Sequence, residues 1–136
     1  MSLPPAGYSG KPLIQKLGLK PGETLAVLNA PPHYAELVAP LPDGATVVET
    51  QTPDAALVHL FVLDRSALEA QAATVVAALQ PKAMLWISWP KKSSKRFVDL
   101  TEDGVRELVL PTGWVDVKVA AVDEDWSGLK FLKRKA

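Results

Sequence analysis

The residues best suited to chemistry in this chain gather around one turn. The apolar run Thr24-Leu25-Ala26-Val27-Leu28 is followed by Asn29-Ala30-Pro31-Pro32-His33-Tyr34. At that place a doubly wound α/β protein holds an anion, because a glycine-rich turn lets the backbone approach and aims free N–H groups at the charge. Two consecutive prolines remove two of those donors and fix φ at about −65°. Asn29 is suited to reading a polar ligand. His33, entering a helix from this turn, is suited to contacting an anion or acting as a base. The competing reading of His33 is a surface histidine on a proline-fixed turn, since no carboxylate pairs with it locally.

The remaining candidates sit where other strands are expected to end. Glu49, Asp64, Arg65, Trp89, Lys91, Lys92 and the Asp123 to Trp126 tip leave the predicted strands on the same rim as Asn29, His33 and Tyr34. Ligands of open α/β sheets bind at that edge, near the point where strand order reverses. The expectation is a binding site of Asn29, His33, Glu49, Asp64, Trp89 and Lys92. Asn29, His33, Asp64, Trp89 and Lys92 are further expected to surround one concave pocket. Asp64 has an alternative role, stabilising the positive end of the helix that follows. His59 lies mid-strand, away from the rim, and reads as a hydrogen-bonded core histidine.

Two charge clusters need separate treatment. Lys91, Lys92, Lys95 and Arg96, interleaved with Ser93 and Ser94, form the densest basic loop and are suited to holding phosphate, with Trp86 or Trp89 available to stack a base. The chain has fifteen basic and fifteen acidic residues, so no global field supports nucleic-acid binding, and a solvated face is the simpler reading. Asp123, Glu124 and Asp125 are adjacent, not spaced to converge on one ion, so a solvated turn and no metal site is expected. No Gly-x-Ser-x-Gly, Walker or His-Glu-x-x-His pattern occurs.

These side chains must be positioned by a covered sheet. A short helix ending at Leu17, capped by Ser9 and stopped by Gly18, carries Leu13, Ile14 and Leu17 on its buried stripe. Strands are predicted at 24–28, 45–49, 55–63, 84–89, 115–122 and 129–133. Tyr34, Leu37 and Val38 share one face of a short helix ended by Pro40 and Pro42. The nearly continuous apolar run 55–63 marks a strand buried on both faces. Ser66 and Glu69 form a capping-box pattern before a helix to Gln80. Thr101 caps a helix with Val105, Leu108 and Val109 inward. The short link 123–128 implies an antiparallel hairpin.

The predicted architecture is therefore α/β: a Rossmann-like three-layer sandwich with a mostly parallel six-stranded sheet and a C-terminal antiparallel hairpin. Right-handed crossovers give the strand order second, first, third, fourth, sixth, fifth. The 136 residues suit one domain, 1–136, with 1–8 as an extended arm. The absence of cysteine excludes disulfides and thiolate chemistry. No signal pattern or membrane-length apolar run is visible, so a cytoplasmic location is expected and no membrane partner. Zero formal net charge eases self-association, which makes a homodimer a candidate state.

The lead-in LGLKPGETLAVLN, the pair AALVHLFVL and QPKAMLWISWP, and the closing VDVKVAAVDEDWSGLKFLKR resemble the first strand, central strands and reversed hairpin of class I S-adenosylmethionine-dependent methyltransferases. The blocks YSGKPL, LNAPP, LFV, WISWPKKSS, DLTED and VDVKVAAVDEDWSGLK further resemble a family of small uncharacterised bacterial proteins, a domain of unknown function. The resemblance implies a methyltransferase-like fold and places Glu49 where a ribose-binding carboxylate stands. It also exposes departures: the acidic, glycine-rich first motif is replaced, and one strand-helix unit is missing. The expectation is a non-catalytic binding or interaction module, with an unknown small molecule or protein as partner and no cofactor; S-adenosylmethionine is disfavoured. The alternatives are a small nucleotide- or adenosylmethionine-binding enzyme or sensor, and weak nucleic-acid binding through loop 91–96.

Overall fold

The computed structural model describes residues 12–134, so the expected N-terminal arm and the Ser9 cap lie outside the described residues. The elements in chain order are α1 (Leu13–Leu17), β1 (Thr24–Leu28), α2 (Tyr34–Leu37), β2 (Thr46–Val48), β3 (Leu57–Phe61), α3 (Arg65–Ala77), β4 (Met84–Pro90), α4 (Glu102–Val109), β5 (Trp114–Ala121) and β6 (Trp126–Lys133). One six-stranded sheet runs β2-β1-β3-β4-β6-β5. This is the order expected from the crossovers and the closing hairpin.

The sheet is mixed. β2, β1, β3 and β4 pair in parallel, whereas β6 is antiparallel to both β4 and β5. The description "mostly parallel" therefore fits the half from β2 to β4, and the half from β4 to β5 is built of antiparallel ladders. A short link between β5 and β6 allows only a reversal, and inserting β6 beside β4 carries that reversal into the sheet.

Residue alternation divides the core into two layers. On one face Ala26, Val58, Leu60, Leu85 and Ile87 pack beneath α3 and α4, which contribute Leu68, Ala72, Val75, Val105 and Val109. On the other, Leu25, Val27, Leu57, Phe61 and Trp86 meet Leu13, Ile14 and Leu17 of α1 and Tyr34 and Val38 around α2. β3 is buried along its whole length, as a central strand covered on both sides must be. Gly128 has a steric purpose: a Cβ there would stand 3.2 Å from both the Trp86 ring and Val122.

Helix ends follow local chemistry, with one shift. Gly18 adopts a left-handed φ of 91° and closes α1 by donating its N–H to Ile14. Thr101 caps α4 as expected, its hydroxyl accepting from Gly104 at 3.1 Å. The cap of α3 is Asp64 rather than Ser66: its carboxylate accepts from Ala67 N–H at 2.8 Å, and Glu69 turns outward to Arg65. Asp64 leaves β3 with extended backbone and reaches the helix first, so the helix starts two residues earlier and ends at Ala77.

Candidate functional site

The C-terminal edge of the parallel strands is built around Asn29. This residue has φ 59°, the left-handed conformation that asparagine tolerates better than most residues. From that position its Nδ2 donates to the Phe61 carbonyl at 3.1 Å and to Gln71 Oε1 at 3.0 Å. The side chain thus ties the end of β1 to the end of β3 and to α3, across the gap between the two strands. Pro31 and Pro32 offer no N–H, and the turn leads into an α2 of only four residues whose N-cap, His33, makes no side-chain capping bond.

His33 finds a partner that sequence alone did not indicate. Its Nε2 lies 2.8 Å from Asp123 Oδ2 at the tip of the β5–β6 hairpin. The other oxygen, Asp123 Oδ1, accepts the backbone N–H groups of Asp125 and Trp126 at 2.8 and 2.9 Å. The carboxylate is therefore held in place, and it fixes one ring nitrogen of a half-exposed histidine. The acidic tip, expected to be merely solvated, supplies this contact. The two residues are 90 positions apart and meet because β6 inserts beside β4.

The other candidates separate. Glu49 is exposed at the end of β2 and lines a cleft of about 850 Å³ over β1, β2 and α2. Trp89 and Lys92 line a second depression of about 350 Å³, together with Lys91, Thr101, Glu102 and Asp103. Asn29 lines a third, of about 220 Å³, with Leu63, Arg96 and Trp126. Asp64 is spent on the α3 cap. The side chains expected around one pocket are thus distributed over separate places. The reason is alternation: Trp89 points into the α3–α4 layer, whereas His33 stands at the start of α2 on the other side.

A polar chain lies beneath α2. The Tyr34 hydroxyl is 2.9 Å from His59 Nδ1, and His59 Nε2 is 2.7 Å from Ser88 Oγ. Both imidazole nitrogens are thus hydrogen-bonded inside the core, as expected for His59. Burial pushes its pKa down to about 3 and pushes the Tyr34 phenol up, so both groups are neutral. A neutral imidazole has one donor and one acceptor, which this chain uses in full. Phe61 stacks on His59 with centroids 4.3 Å apart, and Trp126 meets Phe61 edge-on. Among the described residues no three His, Asp or Glu side chains converge as a metal site. None of the described helices is long and apolar enough to cross a membrane.

This geometry has clear structural relatives. A SAM-dependent methyltransferase from Aquifex aeolicus superimposes with a TM-score of 0.61 at 13% identity, over 88% of this chain and 86% of that one. The fold is methyltransferase-like. The N-methyltransferase NodS from Bradyrhizobium japonicum matches 90% of this chain and 93% of its own at 13% identity, with a TM-score of 0.54. An O-methyltransferase family 2 protein from Planctomyces limnophilus, solved with apigenin, matches 95% of this chain but only 53% of its own length, at 15% identity and a TM-score of 0.61. No protein-family model matches the sequence, and no curated protein is detectably similar to it.

Proposed function

We propose that this chain is a non-catalytic binding or interaction module built on a methyltransferase-like fold. The observation that supports this reading is the turn after β1. Its side-chain bridge from Asn29 to Phe61 and Gln71 occupies the gap between β1 and β3, and Pro31 and Pro32 withhold the backbone donors that a ligand carboxylate or phosphate would need. The residues of this turn do not fit a methyl donor bound there. Nucleic acid is a poor partner for the 91–96 loop, because Lys91 and Lys92 share their depression with Glu102 and Asp103. A small molecule or a protein, including a second copy of the chain, remains the expected partner.

One observation favours a second reading, a residual enzyme or sensor. The His33–Asp123 pair has the form of an oriented base; His33 follows Pro32, and Asp123 accepts the backbone N–H of Trp126, two residues of the cavity that Arg96 also lines. Thermal unfolding with S-adenosylmethionine and its demethylated product separates the two readings. A ligand bound only by the native state at one hundred times its Kd stabilises by about 2.7 kcal/mol. The module reading expects no shift in Tm with either compound; a concentration-dependent rise favours the enzyme.

A further inference from the structure

The cleft of about 850 Å³ beside α2 opens on the β2 side of the turn after β1; it shares Ala30, Pro31 and Pro32 with the Asn29 depression, but its other walls differ. It exists because α2 stops after one turn, at Leu37, and the chain then leaves along Pro40 and Pro42. A longer helix would lie over β1 and β2; here their Val27 and Val47 side chains form the floor, Tyr34 and Val38 one wall, and Leu41 the lip. Leu41 is among the few large apolar residues left exposed. The volume lies within the roughly 300–1,000 Å³ range of small-molecule sites.

The walls are also preorganised. Tyr34 cannot swing freely, because its hydroxyl is held by His59, which is held in turn by Ser88 on β4. A wall that is already ordered in the empty protein loses little entropy when a ligand arrives. Polarity sets the ligand class. Among the described residues Glu49 is the only charged side chain lining the cleft and no lysine or arginine lines it, and the prolines at its mouth carry no N–H. An anionic ligand would meet a carboxylate and find no donor. A protonated amine would meet a partner, and its apolar body would cover the valines.

We infer that this cleft binds a compact amine, a protonated amino group on an aromatic or branched aliphatic body, with Glu49 at the amino group. The inference deepens the reading as a binding module, since it names a ligand class for it, and the site lies on the β2 side of the turn whose other side faces the β1–β3 gap. The test is a titration followed by the methyl NMR signals of Val27, Val38, Leu41 and Val47. Phenethylamine, phenethyl alcohol and 3-phenylpropionate serve as matched probes. The amine is expected to shift these methyls along one saturating curve, with the alcohol binding roughly two- to fivefold more weakly, as for an exposed ion pair, and the carboxylate weaker still. Glu49→Gln should erase the difference between amine and alcohol while leaving the apolar part of the affinity. Ala35→Trp, which fills the cleft from α2, should abolish the shifts.

Unmoved methyls up to the amine's solubility limit would overturn the inference. So would equal binding of the carboxylate, an amine preference that survives Glu49→Gln, or shifts of the same methyls by S-adenosylmethionine. The first three outcomes leave the module reading intact; the last removes both.

Discussion

β1 and β3 are neighbouring parallel strands that end at the same edge of the sheet, yet their exits differ completely. β3 passes through Asp64, whose carboxylate takes the N–H of Ala67 and starts a helix of 13 residues. β1 passes through Asn29-Ala30-Pro31-Pro32 into a helix of four residues with no side-chain cap. Isolated short helices are unstable in water, because nucleation is costly and few bonds follow to offset it. The second exit therefore depends on tertiary ties: Asn29 to Phe61 and Gln71, His33 to Asp123, and Tyr34 to His59. A conventional turn is held by its own backbone chemistry, whereas this one is held by residues far away in sequence. That difference explains why a capping rule describes one exit and fails to describe the other.

The largest effect should come from removing the buried tie. His59→Leu leaves the Tyr34 hydroxyl and Ser88 Oγ without partners, at a cost of about 3 kcal/mol in denaturant unfolding. The penalty should also depend on pH. The folded-state pKa of His59 lies near 3, below the ordinary 6.5, so the unfolded chain binds the proton preferentially. The wild-type contribution is complete above about pH 6.5 and falls by up to about 1.4 kcal/mol per unit as pH drops toward 3. The gap between wild type and His59→Leu should narrow over that range. A gap that stays constant with pH contradicts the neutral, buried histidine.

Next in size is Asn29→Ala, which places an alanine at φ 59° and removes the bridge, for about 1–2 kcal/mol. Asn29→Gly relieves the backbone while removing the same bonds, so it should lose clearly less. Equal losses would mean that the bridge, not the conformation, carries the energy. At the conventional exit, Asp64→Ala should cost about 1 kcal/mol. Its effect should appear as faster amide exchange in the first turn of α3 while α2 stays protected. The smallest effect is expected for His33→Ala: the pair with Asp123 is partly exposed, and such pairs contribute about 0.2–1 kcal/mol.

Much of the fold was legible because its signals are local or topological. The apolar run around His59 identified a central strand, the short link after Asp123 required a hairpin, and Thr101 announced α4. The α3 cap was displaced because aspartate and serine both cap well, and two such residues stand within three positions. The rim was harder to read. Period-two alternation sends Trp89 into the α3–α4 layer even though it follows directly on Ser88, which faces His59. The Asn29–Gln71 and His33–Asp123 contacts span 42 and 90 residues and leave no local trace. Tyr34, Leu37 and Val38 read as one face of an ordinary short helix, and only the missing length of α2 turns Tyr34 and Val38 into walls of a cleft.

The proposed closure of the β1 exit to a methyl donor is put to the test by isothermal titration of the wild-type chain with S-adenosylmethionine. No saturable heat is expected at micromolar ligand. A Kd at or below about 1 μM, equivalent to about 8 kcal/mol of binding, would contradict it, because the Asn29 bridge and the two prolines leave no groups at that turn to supply such energy.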